Sequence, residues 1–367
     1  MKVSFLLTND DLPDLARGAA VLGTGGGGDP LVGRLLVEQA LDEGHRVEVV
    51  EADELADSDL VISTAMMGAP TVVIEKLPAG DEAVHSLRRL EAHLGRTAIA
   101  TIPMECGGLN SMIPLVVAAR ANIPVVDGDG MGRAFPELQM ETFGVYGVPG
   151  SPLAVSNEHG YSAVIDTGED NHQMESFARA VTIRMGGAAY IAEYSMSGAD
   201  VKRTAIPGTL TLACDLGRTI RLAREAHRDP FDALRGHLAE TIYRFGTVLM
   251  RGKIVDVERS VADGFTAGVA KIDAFDSDDT MSIHFRNENL VAYRNDEVVA
   301  IVPDLITVLD AETAQPITTD GMRYGQRVAV YGISTPEIMR TPEALAVFGP
   351  QAFGLAHPWA PLEELSA

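Results

Sequence analysis

The chain has 367 residues, of which 46% are hydrophobic and 22% are charged, and its formal net charge is −23. That length fits about two globular domains. The strong negative charge argues against nucleic acid and anionic membrane surfaces as partners, because both repel an acidic protein.

Two cysteines, Cys106 and Cys214, stand far apart in the chain. The sequence therefore contains no disulfide framework, which favours a reducing compartment. Met1 to Leu7 is too short for the charged and apolar regions of a signal peptide, and no apolar run reaches the length of a membrane span. We therefore expect a cytoplasmic protein.

Helical and extended patterns alternate through the first half of the chain. Helix-like or amphipathic runs predict helices over 10–17, 31–42, 83–94 and 109–121. Apolar runs predict strands over 19–22, 46–50, 59–65, 97–102 and 123–126. This alternation favours an α/β fold whose parallel sheet is covered by helices on both faces.

The pattern changes after residue 168, where we expect the N-terminal α/β domain, residues 1–168, to end. Residues 169–245 are rich in helical patterns and predict a helical connector. Residues 246–334 hold short strand-like segments separated by turns, which predict a smaller β-rich domain. Prolines after residue 334 predict an irregular tail, which completes a C-terminal domain over 169–367.

Two charged segments of the second domain, 256–259 and 286–289, contain both acidic and basic residues. Each can form a turn or an internal salt bridge. We therefore predict a structural role for both segments.

The glycine run at 22–30 is the most unusual stretch of the chain. Because it separates the apolar run 19–22 from the helix over 31–42, we predict a strand-to-helix turn there. Consecutive glycines permit positive φ angles and close approach of a ligand, and free N–H groups at a helix start can hold an anion or a carbonyl oxygen. The predicted substrate-binding residues of this run are Thr24, Gly25, Gly26, Gly27, Gly28 and Asp29.

Two alternatives for the glycine run stay open. It satisfies the spacing G-x-G-x-x-G of a dinucleotide-binding loop, and Asp53 lies where a ribose-binding acid could stand, which would indicate a nicotinamide or flavin cofactor. The other alternative is a purely structural turn. A phosphate-binding P-loop is excluded, because no Lys-Ser or Lys-Thr follows the glycines.

Two further unusual loops, 103–108 and 127–142, follow predicted strands. In open α/β sheets, ligands bind outside the carboxyl ends of the strands. We therefore expect the loops at 22–30, 103–108 and 127–142 to lie along one rim of the sheet and to converge on one pocket.

Cys106 is the first candidate catalytic residue, because it follows a predicted strand and precedes a predicted helix. The helix dipole and free N–H groups would favour the thiolate there. The alternative is a small, buried hydrophobic side chain. Its neighbour Glu105 is predicted to be catalytic as a general base, or to be a metal ligand, or else a solvated loop charge.

Carboxylates also cluster in the loop at 127–142. Asp127 and Asp129 are predicted catalytic residues that can turn toward one cation or activate a water molecule. Glu137 and Glu141 would share a helix face if Pro136 opens a helix, and they are predicted to bind substrate. A divalent metal ion is therefore a candidate cofactor, and a solvated acidic rim is the alternative.

The stretches 22–30, 105–110 and 127–137 resemble the S-methyl-thiohydantoin desulfurase family, which is linked with hydantoinase/oxoprolinase-type proteins. Segments 252–259, 287–290 and 303–306 are similar to the second domain of that family. The resemblance covers most of the chain. It implies an α/β N-terminal domain joined to a smaller C-terminal domain and, for some members, activity on a five-membered, hydantoin-like ring.

The preferred hypothesis is a hydrolase or desulfurase that acts on a hydantoin-like or S-methyl-thiohydantoin ring at the carboxyl ends of the N-terminal sheet. Water or Cys106 would attack the ring while glycine N–H groups hold its oxygen. One alternative is a non-catalytic ligand-binding or accessory subunit with a hydantoinase/oxoprolinase-type partner, and another is a nicotinamide-dependent oxidoreductase. We expect a small-molecule substrate and a homo-oligomer.

Overall fold

A computed structural model describes residues 5–69, 72, 75–262 and 265–366. Within these residues, the helices that position the site are α1 Leu12–Leu22, α2 Leu31–Asp42, α3 Glu82–Leu94, α4 Ile113–Ala121, α5 Thr142–Val145, α6 Asn171–Arg184, α7 Gly198–Thr204, α8 Thr209–Glu225 and α9 Pro230–Leu238. Two short helices, α10 Pro342–Phe348 and α11 Leu362–Leu365, lie in the tail. None of the helices in the described part of the chain is both long and apolar enough to cross a membrane.

The strands form two eight-stranded sheets and one two-stranded ribbon within the described residues. The first sheet and the ribbon use β1 Phe5–Leu6, β2 Glu48–Val50, β3 Leu60–Gly68, β4 Ala100–Pro103, β5 Val125–Val126, β6 Gly128–Asp129, β7 Leu153–Ser156, β8 Ser162–Ile165, β9 Ala188–Ser197 and β10 Ile206–Pro207. The second sheet uses β11 Gly246–Ala262, β12 Phe265–Ala274, β13 Thr280–Arg286, β14 Glu288–Arg294, β15 Glu297–Ile301, β16 Leu305–Asp310, β17 Pro316–Ile317 and β18 Arg327–Ile333.

The first sheet has the strand order β1-β2-β5-β4-β3-β9-β7-β8. Its central strands β2, β5, β4 and β3 run parallel, whereas the outer strands pair antiparallel. The predicted α/β fold is confirmed, but the sheet is parallel only in its centre. Strand β4 is buried at every residue, as expected for a strand covered on both faces.

Strand β9 lies beyond residue 168 and yet belongs to the first sheet. It pairs with β3 from Leu60 and Ser197 to Gly68 and Ala188, with a register shift beside Ser63. Tyr194 has a φ of 43° at this shift, which is typical of a bulge. The segment predicted as a helical connector therefore also contributes a strand to the N-terminal sheet.

The strand predicted over 19–22 is wrong, because these residues form the last turn of α1. Pro13 stands in the first turn of this helix, and buried apolar side chains recur at the helical spacing of Leu12, Leu15, Ala19 and Leu22. A short apolar run alone does not distinguish a strand from a buried helix end. The glycine run therefore connects two helices rather than a strand and a helix.

Helix α1 is held closely against α8. A Cβ atom on Gly18 would lie 1.8 Å from the carbonyl oxygen of Ala213, and one on Gly217 would lie 1.9 Å from that of Asp14. Only glycine permits such an approach of two backbones. This contact fixes the helix that leads into the glycine run.

The second sheet is antiparallel throughout, with the order β15-β14-β13-β12-β11-β18-β16-β17. It confirms the β-rich C-terminal region. The backbone N–H of Asn289 donates to the carbonyl oxygen of Thr24 at 2.9 Å, and that of Thr319 donates to Gly25 at 2.8 Å. The second sheet is thus attached directly to the glycine run.

Candidate active site

The glycine run adopts a conformation that few other residues could follow. Thr24, Gly25, Gly27 and Gly28 all have positive φ angles, between 49° and 88°. The run ends where the carboxylate of Asp29 accepts the N–H of Leu31 at 2.9 Å, at the start of α2. Within the described residues, the N–H groups of Gly28 and Asp29 have no protein partner, so they remain available to a ligand.

The three unusual loops are joined by hydrogen bonds. The N–H of Leu109 donates to the carbonyl oxygen of Gly27 at 2.8 Å, and the N–H of Gly130 donates to that of Met104 at 3.0 Å. Asp129 accepts the N–H of Cys106 at 2.9 Å. The segments 22–30, 103–108 and 127–142 therefore meet at one place.

A cavity of about 340 Å³ lies at this meeting point. The first domain lines it with Gly25 to Asp29, Met66, Glu105 and Phe135. The second domain lines it with Glu288 and the turn 318–321, among others. The volume fits a small, ring-sized molecule.

Glu105 is buried, with 3% of its surface exposed, and it lines this cavity. One oxygen, Oε1, accepts a hydrogen bond from the Asn110 amide at 2.8 Å, whereas Oε2 has no partner in the described chain. Burial raises the pKa of Glu105 well above its usual value, and the charges of Glu288 and Asp129 add to this effect. Glu105 therefore holds its proton to a higher pH than an exposed glutamate does.

Asn110 holds Glu105 in place. Its side-chain oxygen accepts the N–H of Met66 at 2.7 Å, and its NH₂ group donates to the carbonyl oxygen of Met66 at 3.1 Å as well as to Glu105. The amide is thus locked onto the end of β3, and the orientation of Glu105 is fixed through it.

Glu288 lies across the cavity from the first domain, and it too is 3% exposed. Its Oε1 accepts the N–H of Gly27 at 3.4 Å, and its Oε2 has no partner among the described residues. Burial raises the pKa of Glu288 to about 7, while the positive charge of Arg133 opposes the rise. A Cβ atom on Gly26 would lie 2.1 Å from Oε1, so glycine is needed where this carboxyl meets the run.

The two predicted aspartates anchor backbone rather than face the cavity. Asp127 accepts the N–H groups of Leu210 and Thr211 at 2.9 and 3.1 Å, at the start of α8. Asp129 accepts N–H groups of Cys106 and of Gly132, at 2.9 and 2.8 Å. Burial raises the pKa of Asp129 to about 6, and these backbone bonds limit the rise.

The prediction that Cys106 is a thiolate is wrong. The residue is fully buried within the hydrophobic core, and its side chain is absent from the cavity lining of the described residues. Burial raises the pKa of the thiol well above its usual value, and the charge of Asp129 adds to the rise. The short 3₁₀ turn that follows, Gly108–Ser111, does not offset these effects.

The helix expected after Pro136 does not form, so Glu137 and Glu141 do not share a helix face. Residues 136–139 make a turn closed by the Met140 N–H and the Glu137 carbonyl, and α5 begins only at Thr142. Glu137 lines the cavity and pairs with Arg286 at 3.5 Å. Glu141 is fully buried, away from the cavity.

Glu141 instead contacts Glu193 of β9, and both side chains are fully buried. Apart from the hydrogen bond that a proton on one carboxyl forms with the other, their four carboxyl oxygens have no hydrogen-bond partner among the described residues. Burial raises the pKa of each well above the usual value, and the neighbouring acids, Glu193 and Glu175 respectively, raise it further. The pair therefore retains protons to a higher pH than exposed glutamates do.

Thr24 is buried behind the cavity, where its hydroxyl accepts a hydrogen bond from Arg133 at 2.8 Å. Over the described ranges, no three His, Cys, Asp or Glu side chains are grouped so that they could hold a metal ion. The predicted metal ligands thus do not form such a group, and the metal stays a prediction.

Sequence reasoning did not identify Glu288, Asn110, Arg133 and Glu193 as site residues. Glu288 lies 261 residues from Gly27 in the chain, in a segment predicted to be a structural turn. Asn110 carries a visible signal, because it stands five residues after Glu105 on the same loop. For Arg133 and Glu193 the sequence offers no local signal, since their roles depend on contacts between distant elements.

The fold and the cavity define a two-domain α/β protein in which buried glutamates line a cavity. Residues 10–167 match the family described as S-Me-THD-like, N-terminal domain, and residues 169–362 match S-Me-THD-like, C-terminal domain. The chain therefore belongs to the S-Me-THD-like family, in agreement with the resemblance seen in its sequence. The two matches meet at residue 168, whereas the first sheet extends beyond it to β9.

A protein from Chromobacterium violaceum, solved by X-ray crystallography in a structural genomics programme, has a similar structure. The TM-score is 0.81 at 24% sequence identity, and the match covers 98% of this chain and 100% of that chain. At this identity the likeness supports the fold alone. No curated protein matches the chain.

Proposed function

We propose that the chain is a hydrolase that acts on a hydantoin-like or S-methyl-thiohydantoin ring bound in the cavity. One observation carries this proposal: two buried glutamates, Glu105 and Glu288, line one cavity, and each has a carboxyl oxygen without a hydrogen-bond partner among the described residues. Gly28 and Asp29, whose backbone N–H groups have no partner in the described chain, line the same cavity. Buried carboxyls with perturbed pKa values in a cleft are typical of catalytic sites. The family description supports the class of ring.

The two carboxyls differ in protonation, which suits an acid and a base. Glu288, with a pKa of about 7, is substantially ionised at neutral pH. Burial raises the pKa of Glu105 well above its usual value, which favours the protonated form of this group. Environments that separate the pKa values of two carboxyls assign them opposite roles. Glu288 is the base and Glu105 is the acid.

The reaction then follows from these positions. The Glu288 carboxylate takes a proton from water as the water oxygen bonds to the ring carbon, and the oxygen or nitrogen that gains negative charge accepts hydrogen bonds from the N–H groups of Gly28 and Asp29. When the bond from this carbon to the ring nitrogen or to the methylthio sulfur breaks, Glu105 protonates the leaving atom. Transfer of the proton on Glu288 to Glu105 restores both groups.

Cys106 has no part in this chemistry, because its protonated thiol lies in the core. Asp129 and Asn110 instead keep the loop of Glu105 in place. Glu137, which lines the cavity and pairs with Arg286, is a substrate-contacting residue in this proposal.

The test is turnover of a panel of hydantoin and S-methyl-thiohydantoin rings. Turnover is measured as ring opening and as release of thiol. Glu105→Gln removes the acid and keeps its shape, so we expect a loss of about 10²–10⁴-fold in kcat. Glu91→Gln is the control, because Glu91 is buried in α3 and pairs with Arg88. Wild-type turnover in Glu105→Gln, or tight ring binding with no turnover by the wild type, would overturn the proposal. The second result would favour an accessory, ligand-binding role.

A further inference from the structure

Among the largest fully buried side chains of the described residues, only Arg133 carries a formal charge. Its guanidinium stands behind the cavity, stacked at 4.8 Å on the ring of Phe135, which lines it. A buried charge is costly unless something nearby compensates for it. Its surroundings therefore indicate what the charge does.

Every hydrogen bond of this guanidinium goes to a neutral oxygen. The acceptors are the carbonyl oxygens of Ala134, Pro303, Asp304 and Asn289, at 3.0 to 3.4 Å, and the hydroxyl of Thr24, at 2.8 Å. In the described chain no carboxylate forms an ion pair with it. The positive charge is thus held in a fixed position and is not cancelled by direct contact.

Glu288 is the acid on which this charge acts most strongly. Arg133 donates to the carbonyl oxygen of Asn289, the residue next to Glu288, and to Thr24, whose own carbonyl accepts the Asn289 N–H. The other charges that face Glu288 are Arg286, which is paired with Glu137, and the carboxyl of Glu105. The charge of Arg133 also acts on Asp304 and Glu105, but less strongly than on Glu288. The acids Glu288 and Asp129 act on Glu105 in the opposite direction and raise its pKa.

We propose that Arg133 is a positioning residue whose buried charge keeps Glu288 ionised as the base, so that Glu105, on which this charge acts less strongly, remains the acid. This inference rests on the proposed function. It explains why a fully buried guanidinium is bonded only to neutral oxygens: a directly bound carboxylate would cancel the charge that Glu288 needs. The five bonds also hold the charge at a constant distance from the cavity.

Two substitutions separate the charge of Arg133 from its hydrogen bonds. Arg133→Gln removes the charge, whereas Arg133→Lys keeps it and loses the planar group that reaches several acceptors. The measurement is the pH dependence of kcat/KM, whose acidic limb reports ionisation of the base. We expect this limb to move to higher pH by about 1 unit in Arg133→Gln and to stay within about 0.3 unit of the wild type in Arg133→Lys. An unmoved limb in Arg133→Gln, or equal shifts in both variants, would overturn the proposal.

A second readout does not depend on turnover. Carbon-13 NMR of the glutamate carboxyls, with the Glu288 signal identified by its absence in Glu288→Gln, gives the titration midpoint of Glu288 directly. We expect the midpoint to rise in Arg133→Gln alone. If the wild type opens no ring, the proposed function fails, and this titration still decides the role of Arg133.

A further uncharged variant covers the case in which Arg133→Gln does not fold. Arg133→Met keeps an apolar stem against Phe135, and replacement of buried charged groups by apolar ones is often tolerated. The same upward shift is expected in it. If neither uncharged variant folds, Arg133 has a structural role alone and the proposal is overturned.

Discussion

The buried Glu141–Glu193 pair makes the stability of the protein depend on pH in a definite direction. An unfolded glutamate titrates near 4.5, whereas burial raises the pKa of both buried carboxyls well above that value. The charge of Glu193 adds to the rise at Glu141, and that of Glu175 adds to the rise at Glu193. As pH rises above 4.5, the unfolded chain therefore releases protons that the folded pair retains. The free energy of unfolding falls by about 1.4 kcal/mol per pH unit for each such proton.

Glu193→Gln removes one titrating group and keeps its shape. The amide can still accept a hydrogen bond from the protonated Glu141, so the contact with β9 survives. Above pH 4.5, the folded wild type holds a second proton that its unfolded chain has released, whereas the variant has no such group. For each pH unit over which this holds, the free energy of unfolding of the variant should rise by about 1.4 kcal/mol relative to that of the wild type.

The assay is urea unfolding at half-unit intervals from pH 5 to 8, with Glu91→Gln as the matched control. Glu91 is also buried, but it pairs with Arg88 at 2.7 Å, and its loss should lower stability by a similar amount at every pH. Parallel pH dependence in Glu193→Gln and the wild type would refute the reasoning, because it would mean that the folded pair holds no extra proton.

Three further outcomes follow from the contacts. Cys106→Ala should keep wild-type turnover of the ring substrate, since the thiol lies in the core; a large loss would return Cys106 to the mechanism. Asp127→Ala should lower the free energy of unfolding by about 1–2 kcal/mol, measured in urea, with KM unchanged. Gly26→Ala should lower kcat by about 10²-fold, because its Cβ displaces the Glu288 carboxyl; an unchanged kcat would count against Glu288 as base.

Hydrophobic patterns in the sequence predicted the helices and strands correctly where those patterns were long. Three predicted elements begin and end within three residues of observed ones: the strands over 59–65 and 97–102 match β3 and β4, and the helix over 83–94 matches α3. The apolar run at 19–22 was too short to distinguish strand from helix, and the strand β9 lay in a segment whose helical neighbours dominated the pattern. Local periodicity therefore indicated the fold class but not the boundary of the first sheet.

The candidate site was only half visible in the sequence. The glycine run and Glu105 stand out locally, because unusual composition at loops marks places where a ligand can approach. Glu288 does not stand out, since it comes to the cavity only when the second sheet attaches to the glycine run. Cys106 shows the opposite error: its position suggested a reactive thiol, but burial outweighs the effect of a helix start on its pKa.

The central claim is that Glu105 and Glu288 act together in one reaction step. The most direct test is a double-mutant cycle of Glu105→Gln and Glu288→Gln on kcat/KM for ring turnover. We expect kcat/KM to fall by about 10²–10⁴-fold in each single variant. In the double variant it should fall little further than in the less active single variant, as found for residues that act as a unit. Losses that multiply in full, or a double variant that retains wild-type turnover, would contradict the account.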